Sequence, residues 1–170
     1  MAAPKAFTQQ EADRIKATIK YDPETGQFER FDLLTKEWGK LNIKPNRHGY
    51  VQIGFLIDNK FHSFLAHRVA YLLSTGELDF PFLDHINGIR SDNRLENLRT
   101  ATLSQNQGNR RELGVRLRKD TNRWQAFVKI NGKKRHLGMY KDKEQAISAY
   151  RKAHAEYHKE FSPYYEELAA

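Results

Sequence analysis

Apolar residues recur along this chain in short bursts that switch between helical and extended spacing. Ala12, Ile15 and Ile19 follow one another at helical intervals. Ahead of them, Thr8 and Glu11 have the spacing of a capping box, with Phe7 placed as its staple. Together they predict a helix over 9–20. Asp22-Pro23-Glu24-Thr25-Gly26 is turn chemistry, and 27–31 follows it as a strand. Residues 36–48 are polar, with Gly39 and Pro45, and read as loop. Runs over 50–57 and 60–65 meet at Asp58-Asn59, which predicts a hairpin. The burst over 67–74 reads as a helix closed by Gly76.

The middle of the chain predicts a compact strand, loop, strand and helix. Phe82-Leu83 runs as a strand into Asp84-His85. Asn87-Gly88 and Ser91-Asp92-Asn93 supply turns, and 98–101 returns as the second strand. A helix follows over 103–108, capped by Thr102 or Ser104. Further on, 115–118, 124–130 and 135–139 read as three short strands, with Asn131-Gly132 as the hairpin turn between the last two. Asp142 and Gln145 are spaced to cap a final helix. Its Ala146, Ala149, Tyr150, Ala153 and Tyr157 share one face, and Tyr150 and Tyr157 are expected in the core. The expected fold class is α+β. A helix-and-strand lead-in (1–49) precedes a central unit (50–109), a linker (110–113), a sheet-plus-helix module (114–162) and a tail (163–170).

Charge changes this picture because it is unevenly placed. The formal net charge is +8. From Arg110 to Arg135 there are ten Lys and Arg residues against two acidic ones, Glu112 and Asp120. Such a cluster favours an anionic partner. With no Cys, any metal must take oxygen or imidazole ligands. The longest apolar run is interrupted by His67 and Arg68 and is too short to span a bilayer. The N-terminal residues lack a signal-peptide core. A soluble, cytoplasmic protein that is not secreted is the expectation.

Asp84, His85 and Asn106 are the candidate chemical residues of the central unit. A neutral imidazole takes a proton from water near pH 7. A hard divalent ion wants oxygens, and Asp84 and Asn106 offer a carboxylate and a neutral carbonyl. Other uses of these residues compete. Asn106 at a helix start also reads as a cap, and Asn97 as a turn residue bonding loop backbone. His67 reads as a packed or capping residue. Arg90, Arg94 and Arg99 suit either phosphate clamping or solvent.

The run DHINGIRSDNRLENLRTATLSQN resembles the motif of phage HNH homing-type endonucleases, with their ββα-metal fold. YDPETGQFER, the strand at Gly49-Tyr50 and HRVAYLLSTGE resemble the usual lead-in of that family. The resemblance implies His85 as general base, Asp84 as metal ligand, Asn97 as the residue that ties the loop and orients the base, and Asn106 as second metal ligand. It also implies one divalent ion, Mg²⁺ or Mn²⁺, with hydrolysis to 5′-phosphate and 3′-hydroxyl ends. Asn106 stands where the family has His or Asn, which places this chain with the His-Asn-Asn variants.

Residues from Gly114 onward resemble the ethylene-response-factor type of DNA-binding domain. The resemblance rests on Gly114-Val115-Arg116, Arg118, Trp124-x-Ala126, Leu137-Gly138 and the helical Ala146–Tyr150 positions. It implies double-stranded DNA as partner, read from the sheet face by Arg116, Arg118, Arg123, Trp124, Lys129 and Arg135. Asp120-Thr121-Asn122 departs from the plant loop, so base preference does not carry over. A monomer is expected. The competing reading is a DNA-binding regulatory or architectural protein whose nuclease unit is inactive.

Overall fold

The computed structural model describes residues 4–109 and 114–169. The expected linker at 110–113 lies outside the described residues. The chain divides by contact into two compact units, Met1–Thr100 and Ala101–Ala170. Each has its own apolar core. The fold is α+β, with small antiparallel sheets and short helices. Among the described residues no helix is long and apolar enough to cross a membrane.

The first unit opens with α1 (Gln9–Thr18). Its capping box is closed in both directions: Glu11 N–H donates to Thr8 Oγ1 at 3.2 Å, and Thr8 N–H donates to Glu11 Oε2 at 2.8 Å. The helix stops short of the predicted 20. Ile19 turns extended and starts β1 (Ile19–Tyr21), which pairs with β2 (Phe28–Phe31). A β-branched side chain suits a strand, and in this one Ile19 is buried.

β3 (Trp38–Lys40) corrects the loop expected over 36–48. A three-residue strand is too short to show alternation. Cross-strand pairing specifies it instead, with Trp38 opposite Phe31 and their rings 5.3 Å apart. Lys20 Nζ lies 4.2 Å from the Trp38 ring centroid.

β4 (Gln52–Ile57) and β5 (Lys60–Leu65) form the expected hairpin. Asp58 and Asn59 both take positive φ, 48° and 58°, as a two-residue turn with the strands' twist requires. Ile53, Phe55 and Ile57 point into the core. α2 (Ala66–Thr75) leaves β5 directly and buries Val69, Ala70 and Leu72. Gly76 closes it in the left-handed region at φ 78°. β6 (Phe82–His85) and β7 (Leu98–Ala101) make a two-stranded sheet, anchored in the same core by Leu83 and Leu98.

The second unit begins at α3 (Leu103–Gly108), where Thr102 forms a full capping box with Gln105. Its sheet has the order β10 (Lys133–Tyr140), β9 (Arg123–Ile130), β8 (Val115–Arg118). α4 (Lys143–His158) packs on this sheet, and α5 (Tyr165–Ala169) ends the described chain. Asp142 occupies the cap position of α4 but makes no side-chain cap bond. Tyr150 is buried as expected, but Tyr157 is not: it is 44% exposed. Past the end of α4 the chain turns back and seats Tyr164 against Tyr150 and His154, with ring centroids 6.1 and 5.5 Å away. Tyr164 and His154 take the core space expected for Tyr157, whose ring instead meets His158.

His154 is a buried base in this core. Its Nδ1 is 2.8 Å from Ser162 Oγ, and its ring lies 4.5 Å from that of His158. Burial, with His158 adding to it, pushes the His154 imidazole down to about 4. An unfolded imidazole takes up its proton near 6.5. As pH falls from 6.5 towards 4, the unfolded state therefore gains a proton that the folded state refuses, and stability drops. Thermal melts across that window should show a falling Tm, and His154→Phe should make the slope shallower without abolishing it, because His67 is held neutral over the same window. A flat profile in the parent would show that His154 is not held neutral.

Candidate functional site

The site of the first unit is built at the end of β6. Burial of Leu83 and Leu98 holds the two strands, and Ile86 N–H donates to Asn97 O at 2.9 Å to close them. The chain then turns sharply, with Gly88 N–H on His85 O at 2.8 Å and Gly88 at φ 73°. Asp84 and His85 alternate to opposite sides of the strand, yet both are only 4% exposed.

The loop between the strands is cross-braced by side chains. Asn97 Oδ1 accepts from Asn87 N–H at 3.0 Å, and Asn97 Nδ2 donates to Asp92 O at 2.8 Å. Asn87 Oδ1 accepts from Ile89 N–H, while its Nδ2 donates to Asp92 Oδ2 at 2.7 Å. Arg94 grips both oxygens of Asp92, at 2.9 and 2.8 Å, and holds that carboxyl down at about 2. Asn97 is thus a tie within the loop, the bonding expected of a turn asparagine.

The hairpin β1–β2 braces the same loop from outside. Tyr21 Oη donates to Asn93 O at 2.7 Å, and Leu95 N–H donates to Pro23 O at 3.0 Å. Burial, and then the Asp22 and Asp92 carboxylates, push the Tyr21 hydroxyl up to about 12, so it stays a neutral donor. Gly26, at φ 71°, meets the loop so closely that a Cβ would sit 2.7 Å from Arg94 N.

Around His85 the neighbours are aromatic and charged. The His67 ring is 4.9 Å away at 81°, edge-on, and Tyr50 lies 6.1 Å from His85 and 5.6 Å from His67. Burial pushes the His85 imidazole below its ordinary range. Asn93, Asp84 and Asp92 work against that shift, and Arg90 adds to it. Burial, then His85 and Arg68, take His67 down to about 3. Both rings are therefore neutral near pH 7.

Each of the three loop arginines is engaged within the protein. Arg99 donates to Asp84 Oδ2 through Nε at 3.0 Å and Nη2 at 2.9 Å. Arg90 Nη1 donates to His48 O at 2.8 Å, with its guanidinium 5.0 Å from the Tyr50 ring centroid. Arg94 binds Asp92 and Glu96. Sequence reading missed the pairing of Arg99 with Asp84 and the place of Tyr50 beside His85. Neither has a local signal, because the partners lie far apart in the chain.

The donor chemistry fits a hard divalent ion. Mg²⁺ commonly takes one or two protein oxygens and completes its shell with water and phosphate. Asp84 supplies a carboxylate at the strand end. Among the described residues no three His, Asp or Glu side chains gather into a metal-binding group, so a cage of protein ligands is not what this site offers. Asn106 belongs to the second unit, and its place as second ligand rests on the sequence resemblance.

In the second unit the six proposed DNA contacts divide between two faces. Ala126, Val128 and Ile130 are buried under α4, so Arg123, Gln125, Phe127 and Lys129 face the other way. Register adds Arg116 opposite Gln125, Arg118 opposite Arg123, Lys134 opposite Lys129 and His136 opposite Phe127. Trp124 instead shares the helix-facing side, with Lys143 Nζ of α4 5.4 Å from its ring centroid. Arg135 stands opposite Val128, on that same side by register. On the outward face Arg116 Nε donates to Gln125 Oε1 at 2.8 Å, and Gln125 Nε2 is 3.1 Å from His136 Nδ1. A polar row therefore crosses all three strands. Arg118 is held by Asp120 through Nε and Nη2. Gln125, Lys134 and His136 were missed, although alternation about Ala126 and Val128 could have placed Gln125.

Comparison with known proteins bears on one stretch of the chain. Residues 64–107, from the end of β5 into α3, match the family described as HNH endonuclease. Comparison with curated proteins returned no match. A solved structure titled "DNA binding and cleavage by the HNH homing endonuclease I-HmuI" aligns with a TM-score of 0.43 at 22% identity. That alignment covers 64% of this chain and 57% of the other, so the chain spans less than two thirds of it.

Proposed function

We propose that this chain is a divalent-metal-dependent endonuclease acting on double-stranded DNA. The observation that carries the reading is the Asp84–His85 pair, buried at a strand end, beneath a loop tied by Asn97, inside the segment matched to HNH endonucleases. In the proposed reaction neutral His85 takes a proton from water. The resulting hydroxide oxygen bonds to phosphorus in line with the 3′ oxygen, and the P–O3′ bond breaks. The products are a 5′-phosphate and, after protonation from solvent, a 3′-hydroxyl. Asp84 would hold the ion, with Asn106 as second ligand by the resemblance. A bound Mg²⁺ or Mn²⁺ supplies charge neutralisation at the phosphoryl and leaving oxygens.

The second unit is proposed to grip duplex through its outward sheet face. A three-stranded ribbon fits the major groove, and Arg116, Arg123 and Lys129 face away from α4. The chain is proposed to act as a monomer, for which nicking of one strand is the natural outcome.

Incubation with supercoiled plasmid tests the activity. Nicked product should form with Mg²⁺ or Mn²⁺ and disappear when chelator is added. Tight binding with no metal-dependent nicking would favour the rival reading, a DNA-binding regulator with a silent nuclease unit.

A further inference from the structure

His85 has an orientation problem that its own side chain does not solve. The ring-bearing torsion of histidine is broad, so rotamer preference alone leaves the imidazole free to swing. A base that must meet one water beside one phosphate cannot swing, because displacements near 1 Å can cost about a hundredfold in rate. Beside a side-chain hydrogen bond with Asn93, the fold supplies two rings against it. His67 lies edge-on at 4.9 Å, and Tyr50 touches both histidines.

Those two rings are themselves firmly seated. Ala66 N–H donates to Val51 O at 2.9 Å, which pins the start of α2 beside the segment that leads from Tyr50 into β4. His67 stands in the first turn of α2, between the fully buried Ala66 and Val69. Tyr50 is fixed at both backbone groups: its N–H donates to Asn46 Oδ1 at 3.2 Å, and its O accepts from Asn46 N–H at 2.9 Å. Arg90 covers the Tyr50 ring.

We infer that His67 is a positioning residue for His85, and that with Tyr50 it forms a two-ring clamp that sets the orientation of the base. The inference rests on the proposed role of His85 as base. His67 acts as a flat, neutral wall. What the clamp needs is a ring at 67, not a titrating group.

The test uses the full chain with His67→Phe, His67→Leu and His67→Ala, and His85→Ala as control. Plasmid cleavage is followed under single-turnover conditions with Mg²⁺, beside DNA affinity and thermal melts. His67→Leu and His67→Ala should cut about 10- to 100-fold more slowly at unchanged DNA affinity, while His67→Phe stays within about threefold of the parent. Should His67→Ala fail to fold, the Phe and Leu variants, similar in volume, decide the matter. Equal rates for those two overturn the clamp. In the protein without DNA, the His85 ring resonances should be one narrow set in the parent and broaden or split in His67→Leu. Unchanged resonances overturn it too, whether or not the plasmid is cut. If His85→Ala cuts at the parent rate, the base assignment itself has failed; if His85→Ala is slowed while His67→Leu and His67→Ala cut at the parent rate, the clamp alone has failed.

Discussion

His85→Ala should lose about a hundred- to ten-thousand-fold in cleavage rate, the usual cost of removing a general base. Plasmid that the parent nicks should remain supercoiled over the same incubation. DNA affinity should hardly change, because the proposed grip lies on the outward sheet of the second unit and not at the strand end. His85 is buried against Tyr50 and His67, so truncation also leaves a gap, and some loss of Tm should accompany the loss of rate. That gap does not explain a rate effect of this size when the melting temperature of the variant stays well above the assay temperature, because the scaffold around position 85 is then kept. The clean comparison is therefore rate per bound protein, measured with DNA affinity and melting temperature on one sample. Cleavage at the parent rate would remove the base from the mechanism.

DNA affinity should fall steeply with salt. Each neutralised phosphate contributes about −0.9 to the slope of log affinity against log salt, so five contacts give roughly −4.5. Between about 50 and 200 mM salt that slope predicts a loss on the order of 500-fold. Replacing Arg116, Arg123 and Lys129 together should flatten the slope by about 3, since each would give up one phosphate. Replacing Trp124 and Arg135 should change it much less, because register places both on the side of the sheet that carries α4. Arg118 should matter less than Arg116, as Asp120 already occupies its guanidinium. Titrations at four or more salt concentrations read the slope directly. A triple variant with the parent's slope would show that DNA is not held on this face.

Most of the fold was legible where the signal is local. Thr8 with Glu11, and Thr102 with Gln105, close the capping boxes that their spacing predicts or allows. Asp58-Asn59 and Gly76 adopt the left-handed conformations that their chemistry tolerates. The elements misjudged were those specified by a partner outside their own segment. β3 exists because Trp38 pairs with Phe31. α1 yields to β1 at Ile19 because a neighbouring strand is there to receive it. Tyr157 has the right phase for the core, but Tyr164 returns to fill that place.

The amino-acid sequence alone pointed to the residues proposed to carry the chemistry: the Asp84-His85 pair, the asparagines that follow it, and the crowding of positive charge after Arg110. Residue type, turn chemistry and short-range periodicity are properties of neighbours in the chain, and they can be read without a fold. Only the tertiary structure decided the company those residues keep. Arg99 meets Asp84, His67 and Tyr50 wall in His85, and Trp124 turns towards the helix and away from the outward face. Those relations depend on strand register and on which face each element buries, and both are settled when the core packs.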